Sequence, residues 1–230
     1  MKKAMCCLLV LALALLPAFA FAAGKATVTQ EAFYVTSFLS YFAADMYAEV
    51  TNTGDKPVQF NGGLLELYNP DGDAIESSNV YSCYPAILAP GESGYLHELI
   101  SVDEATEASY IDDYSLTISG KGENEKVTLR LASTGTFGEE VFSEYFKEYA
   151  VTAMVTNETD ELLRNIHVVY VLFDAADKLL YAGTAEPYYV GLPAGQTIEI
   201  RTTVDSGIVD VWEKDGIQPA RIVTIAYVEK

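Results

Sequence analysis

A displacement of 105 positions lays Val50–Asp73 on Val155–Lys178 without a gap. Val50, Thr51, Asn52, Asp55 and Leu67 meet Val155, Thr156, Asn157, Asp160 and Leu172 as identities. Tyr68 then meets Phe173, and Asn69 meets Asp174. Further on, LAPGES at Leu88–Ser93 meets LPAGQT at Leu192–Thr197 with a shift of one. The last apolar segments, YSLTISG from Tyr114 and RIVTIAYV from Arg221, also correspond. A unit of about a hundred residues is far longer than the roughly 20–50 residues of a solenoid repeat, so the duplication predicts two domains of one architecture.

Each copy carries the period of a strand. In MYAEVTN, Tyr47, Glu49 and Thr51 alternate with Met46, Ala48 and Val50, and YAVTAMVTN does likewise. In NIHVVYVLFD both alternating sets are largely apolar, which predicts a central strand covered on both faces. TIEIRTTV sets Ile198, Ile200 and Thr202 against Glu199, Arg201 and Thr203. NPDGD at Asn69–Asp73 reads as a hairpin turn, since proline presets φ and Asp-Gly accepts positive φ; DAADK at Asp174–Lys178 does the same with poorer turn residues. Asn52 and Asn157 end the preceding strand, where a short amide bonds the turning backbone. Short strands punctuated by Gly, Pro, Asn and Asp predict antiparallel sandwiches. Two segments read differently. FGEEVFSEYFKEY has aromatic residues at helical spacing and predicts a short helix or turn, its counterpart VTSFLSYFAADMY is ambiguous, and VDVWEKDG around Trp212 reads as a loop.

The first residues hold Lys2 and Lys3, an apolar run from Leu8 to Leu16, and small-residue cleavage patterns at Ala18–Ala20 and Ala20–Ala22. This is the form of a secretory signal peptide, too short to span a membrane comfortably. The expected organisation is a leader over 1–23, a first sandwich over 24–120 and a second over 121–230, with a short, polar boundary that permits limited hinge motion at Ser119–Lys126. Cys6 and Cys7 leave with the leader, so Cys83 remains alone, expected as a buried strand residue without an internal disulfide. Loss of two lysines takes the formal charge from −19 to −21, which excludes nucleic acid as a partner, and no second long apolar run predicts a membrane span.

Tyr170-Val171-Leu172-Phe173-Asp174, preceded by V-T-N and followed by L-P-A-G-Q, resembles the FxLYD domain. Leu65-Glu66-Leu67-Tyr68-Asn69 looks like a more divergent copy, and LAPGE is similar to the family's L-x-P-G-E turn. The resemblance implies a small immunoglobulin-like β-sandwich of bacterial exported proteins. It carries no established catalytic residue and no cofactor.

Residues able to do chemistry are few. His97 in YLHELI is a candidate general base, but no serine or cysteine has a nucleophile-elbow context; His167 lies on an apolar strand and reads as structural. No phosphate loop, dinucleotide fingerprint or zinc spacing occurs. Asp103, Glu104, Glu107, Asp112 and Asp113 crowd one loop, readable as a solvated acidic segment or a weak calcium site; NPDGD lacks the rest of a calcium loop. Aromatics near loops, Tyr81, Tyr84, Tyr188, Tyr189 and Trp212, are readable as packing or as binding anchors. The sequence therefore points to a secreted, non-enzymatic binding module for an extracellular protein or glycan. Its candidate contacts are Trp212 and the five acids, features present in one copy only. The alternatives are a small hydrolase or metal-dependent enzyme, and a structural spacer.

Overall fold

The computed structural model describes residues 24–38, 41–122, 128–143, 146–187 and 190–229. The proposed leader and cleavage site, the second half of the expected boundary and the Tyr188–Tyr189 pair lie outside them.

Thirteen strands are present among the described residues: β1 (Ala26–Phe38), β2 (Tyr41–Asn52), β3 (Val58–Tyr68), β4 (Ala74–Val80), β5 (Ile87–Leu88), β6 (Ser93–Val102), β7 (Asp113–Gly122), β8 (Thr128–Ser143), β9 (Phe146–Thr156), β10 (His167–Phe173), β11 (Leu179–Ala185), β12 (Thr197–Val204) and β13 (Arg221–Glu229). A single 3-10 turn, Ala108–Tyr110, precedes β7, and one helix, α1 (Ser206–Asp215), lies between β12 and β13. Every strand pairing is antiparallel.

In the first half, one sheet runs β1-β2-β6; in the other, β3 pairs with β4, β7 and the short β5. Met46, Ala48 and Val50 of β2, with Leu96 and Ile100 of β6, share one buried core with Val58, Phe60, Leu65 and Leu67 of β3. Two sheets thus enclose a common apolar layer, the packing expected of alternating strands. The second half repeats the order. β12 pairs with β9 as β6 pairs with β2, and β10 lies between β11 and β13 as β3 lies between β4 and β7. Long β8 serves both sheets: Thr128–Leu131 pair with β13, and the strand then pairs with β9 from Ala132 onward. The central position expected for β10 is observed, and Val168 to Phe173 are all buried.

The repeated residues build the same two devices twice. Asn52 is fully buried; its Nδ2 donates to the carbonyls of Lys56 and Leu88, and its Oδ1 accepts from the amides of Lys25 and Gly54. Asn157, equally buried, donates to Glu161 and Leu192 and accepts from Thr159. The main-chain carbonyls of these asparagines receive the amides of Gly91 and Gly195, which turn at φ 77° and 69°, a region glycine enters without Cβ strain. In the β3–β4 turn Asn69 Oδ1 accepts from the amides of Asp71 and Asp73; in the β10–β11 turn Asp174 Oδ1 accepts from Ala176 and Lys178. The second turn lacks the glycine of NPDGD, and Asp177 adopts φ 60° there.

Two expectations are corrected. FGEEVFSEYFKEY is neither helix nor isolated turn: β8 continues to Ser143 and β9 begins at Phe146, in register Phe137–Val151 and Glu139–Tyr149. A spacing of four is also an even number, so residues at i and i+4 share a face of a strand as well as of a helix. VDVWEKDG is not a loop but most of α1. Asp205 caps it by accepting from Gly207, Gly216 ends it in the left-handed conformation, and Ile208 and Trp212 bury one face at i, i+4 spacing. The two halves also share buried surface. Ala32, Tyr34, Tyr47 and Tyr95 of the first half belong to the same buried cluster as Tyr181, Ile208 and Trp212 of the second.

Candidate functional site

The seam between the halves grows from the β2 pattern. Met46, Ala48 and Val50 fill the first core, which leaves Tyr47 on the opposite face. That face is not wet: Tyr47 is fully buried, 5.1 Å from the Tyr181 ring and 6.2 Å from Tyr34. Trp212 meets Tyr149 and Tyr181 edge-on at 5.7 and 6.4 Å. Leu179 donates its amide to Gln30, and Arg130 pairs with Glu92, so polar contacts also cross the seam. Helix α1 reaches β1 closely at Gly207, where an added Cβ would stand 3.3 Å from that of Thr36.

At the N-terminal end of α1 the seam opens into a cavity of about 470 Å³. Thr36, Ser37, Tyr41, Ala43, Asp45, His97, Leu99 and Ser101 line it from the first half, and Asp205, Ser206, Gly207 and Asp210 from the second. Tyr41 and Leu99 are 57% and 55% exposed, unusual for large apolar side chains. Asp45, by contrast, is only 5% exposed. It is held by the hydroxyl of Thr36, which donates to Oδ2 at 2.9 Å, and by His97, whose Nε2 lies 2.9 Å from Oδ1. The imidazole stacks on the Tyr47 ring at 4.3 Å and 12°, so β2 orients both faces of the pair. Burial, then the negative field of Asp45, then Tyr181 and Asp205, raise the Tyr47 hydroxyl far above the usual tyrosine range. Its oxygen has no hydrogen-bond partner among the described residues.

The order of these groups limits their chemistry. Nucleophilic catalysis needs the hydroxyl on the imidazole and the carboxylate behind it. Here the carboxylate is in the middle: Thr36 and His97 both bond Asp45, and among the described residues no hydroxyl is bonded to the imidazole. His167 stands in a similar setting elsewhere, stacked on Tyr227 at 5.0 Å with Nδ1 2.6 Å from Glu186 Oε1.

The residues singled out from sequence do not converge here. Trp212 is 2% exposed and packs in the seam, away from this cavity. Asp103, Glu104, Glu107 and Asp112 are exposed along the segment between β6 and β7, as is Asp113 at the start of β7, where its Oδ1 accepts from the amide of Tyr114. Among the described residues, no group of three or more His, Cys, Asp or Glu side chains is placed to hold a metal ion. Tyr81 is 80% exposed, whereas Cys83 is buried and free, its thiol pushed up to about 12 by burial. Asp45, Tyr41, Leu99, Asp205 and Asp210 belong to no sequence motif. Only the unusual aspartate inside the apolar alternation of β2 marked the first of them. No protein-family model matches the chain, and neither does any curated protein.

Proposed function

We propose that the chain is an exported, non-enzymatic binding module built of two tandem immunoglobulin-like sandwiches, each resembling an FxLYD domain, and that it meets its extracellular ligand in the cavity at the seam. The observation that carries the reading is the opposition of two exposed apolar side chains, Tyr41 and Leu99, to carboxylates contributed by the other half. A volume of about 470 Å³ is within the usual size of small-ligand and side-chain pockets. The repeated strand order and the twin asparagine nodes support the tandem architecture, and the leader supports export.

The test is capture of cell-surface components by the mature chain and by a Tyr41→Ala, Leu99→Ala double variant. A component held by the first and lost by the second is the expected result; equal capture by both removes the cavity as the site. The His97–Asp45 pair favours one second reading, a hydrolase in which the oriented imidazole activates water. Turnover of an ester or glycoside that disappears with His97→Ala would replace the binding reading.

A further inference from the structure

We infer that the seam cavity receives a basic side chain, lysine or arginine, of a peptide or protein partner; this rests on the binding reading above and names its ligand class. The charge balance of the wall sets the chemistry. Asp45 brings a buried carboxylate bonded only by a hydroxyl and an imidazole, neither of them a fixed cation. Buried carboxylates ordinarily face a cation. Asp205 uses one oxygen on the amide of Gly207, and Asp210 is exposed, with no ion pair or hydrogen bond to a described residue.

Asp45, Asp205 and Asp210 stand on a wall whose lining residues include no lysine or arginine. Ammonium and guanidinium groups are donors only. Tyr41 and Leu99 supply the apolar surface along which a lysine or arginine lays its methylenes, and the face of an exposed tyrosine attracts the charged head. The N-terminus of α1 by itself would favour an anion, but Asp205 already caps it.

The experiment is a titration of the mature chain, followed by NMR at the His97 ring and the Gly207 and Ser101 amides. The probes are Nα-acetyl-lysine amide, Nα-acetyl-arginine amide and the uncharged Nα-acetyl-norleucine amide. Both basic probes should move these signals, with norleucine far weaker. Asp210→Asn, a change on an exposed helix face, should weaken the basic probes about tenfold, the worth of one charge-assisted hydrogen bond. Asp71→Asn, in the β3–β4 turn and outside the cavity wall, should leave them unchanged. Norleucine binding as well as lysine would overturn the cationic class and leave the cavity as a binding site. Equal weakening by Asp71→Asn and Asp210→Asn would reduce the effect to general attraction by an acidic chain and overturn the proposal. Silence from all three probes would overturn both the ligand class and the cavity reading.

Discussion

Replacing Asn157 with aspartate tests whether the repeated asparagine is a structural node. The substitution keeps size and shape but removes both Nδ2 donors, now bonded to Glu161 O at 2.7 Å and Leu192 O at 2.9 Å. A carboxylate oxygen would then face two carbonyl oxygens at a position with no solvent exposure. Two lost hydrogen bonds are worth about 2 kcal/mol, and a buried charge set against carbonyl dipoles adds desolvation, so the loss should reach about 3–5 kcal/mol at neutral pH. Leu192 O keeps the Leu163 amide at 3.0 Å, which places Asn157→Ala lower, about 2–4 kcal/mol. The aspartate variant also carries a pH signature. A carboxyl in this site has its folded pKa raised, so the protonated form, able to donate one hydrogen bond, is favoured in the native state. Its stability deficit relative to the parent should therefore shrink below the ordinary aspartate range near pH 4 and grow as pH rises through the folded value. Urea melts of parent and variant at pH 7 and pH 3.5 measure this. Asn52→Asp should behave alike, because Asn52 holds Lys56 and Leu88 through the same pair of donors. An Asn157→Asp chain with an unchanged midpoint, or a deficit that does not respond to pH, would refute the node as described.

Trp212→Ala should cost about 3–5 kcal/mol in thermal or urea unfolding, because it empties the middle of the seam, and a variant as stable as its parent would place the indole outside the core. The seam should make the halves melt together: calorimetry should give one transition, and two well-separated transitions would mean that the shared cluster does not couple them. Stability should fall steeply in alkali. Cys83, Tyr114 and Tyr181 are each pushed up to about 12, burial being the first cause, so the folded state keeps protons that the unfolded chain releases. That stability is whole below about pH 7.5, a unit under the ordinary value of about 8.5 for an unfolded thiol, and drains as pH rises toward 12; urea midpoints at pH 8, 9.5 and 10.5 should decline in that order. Gly72→Ala should cost about 1 kcal/mol by equilibrium unfolding, since φ 82° strains any residue with a Cβ. For export, N-terminal sequencing of secreted protein should begin between Ala20 and Gly24, and a chain starting at Met1 would contradict the leader.

Much of the fold was legible because its causes are local. Alternation of period two marked β2, β9, β10 and β12. The Asn69 and Asp174 turns close hydrogen bonds over two and four residues, so their chemistry is written in five consecutive positions. The 105-residue offset pairs Asn52 with Asn157, the two asparagine nodes. Helix α1 carries local signals in the Asp205 cap, the Ile208–Trp212 spacing and Gly216, yet VDVWEKDG has the composition of a loop because polar residues outnumber apolar ones there.

The remainder depended on contacts between residues far apart. Sequence set Tyr47, Glu49 and Thr51 on the face of β2 opposite the core, which alternation alone would leave to water. Only the packing of the second half over that face buries Tyr47 and gathers Tyr34, Tyr181 and Trp212 around it. His97 and Asp45 are 52 positions apart on adjacent strands, and their meeting requires the β2–β6 register. Asp205 and Asp210 join them from the other copy, on α1 and its cap. Periodicity states which face of a strand is apolar. It carries no information about which surface will cover that face, because that choice is made by the free energy of burying whole layers against one another.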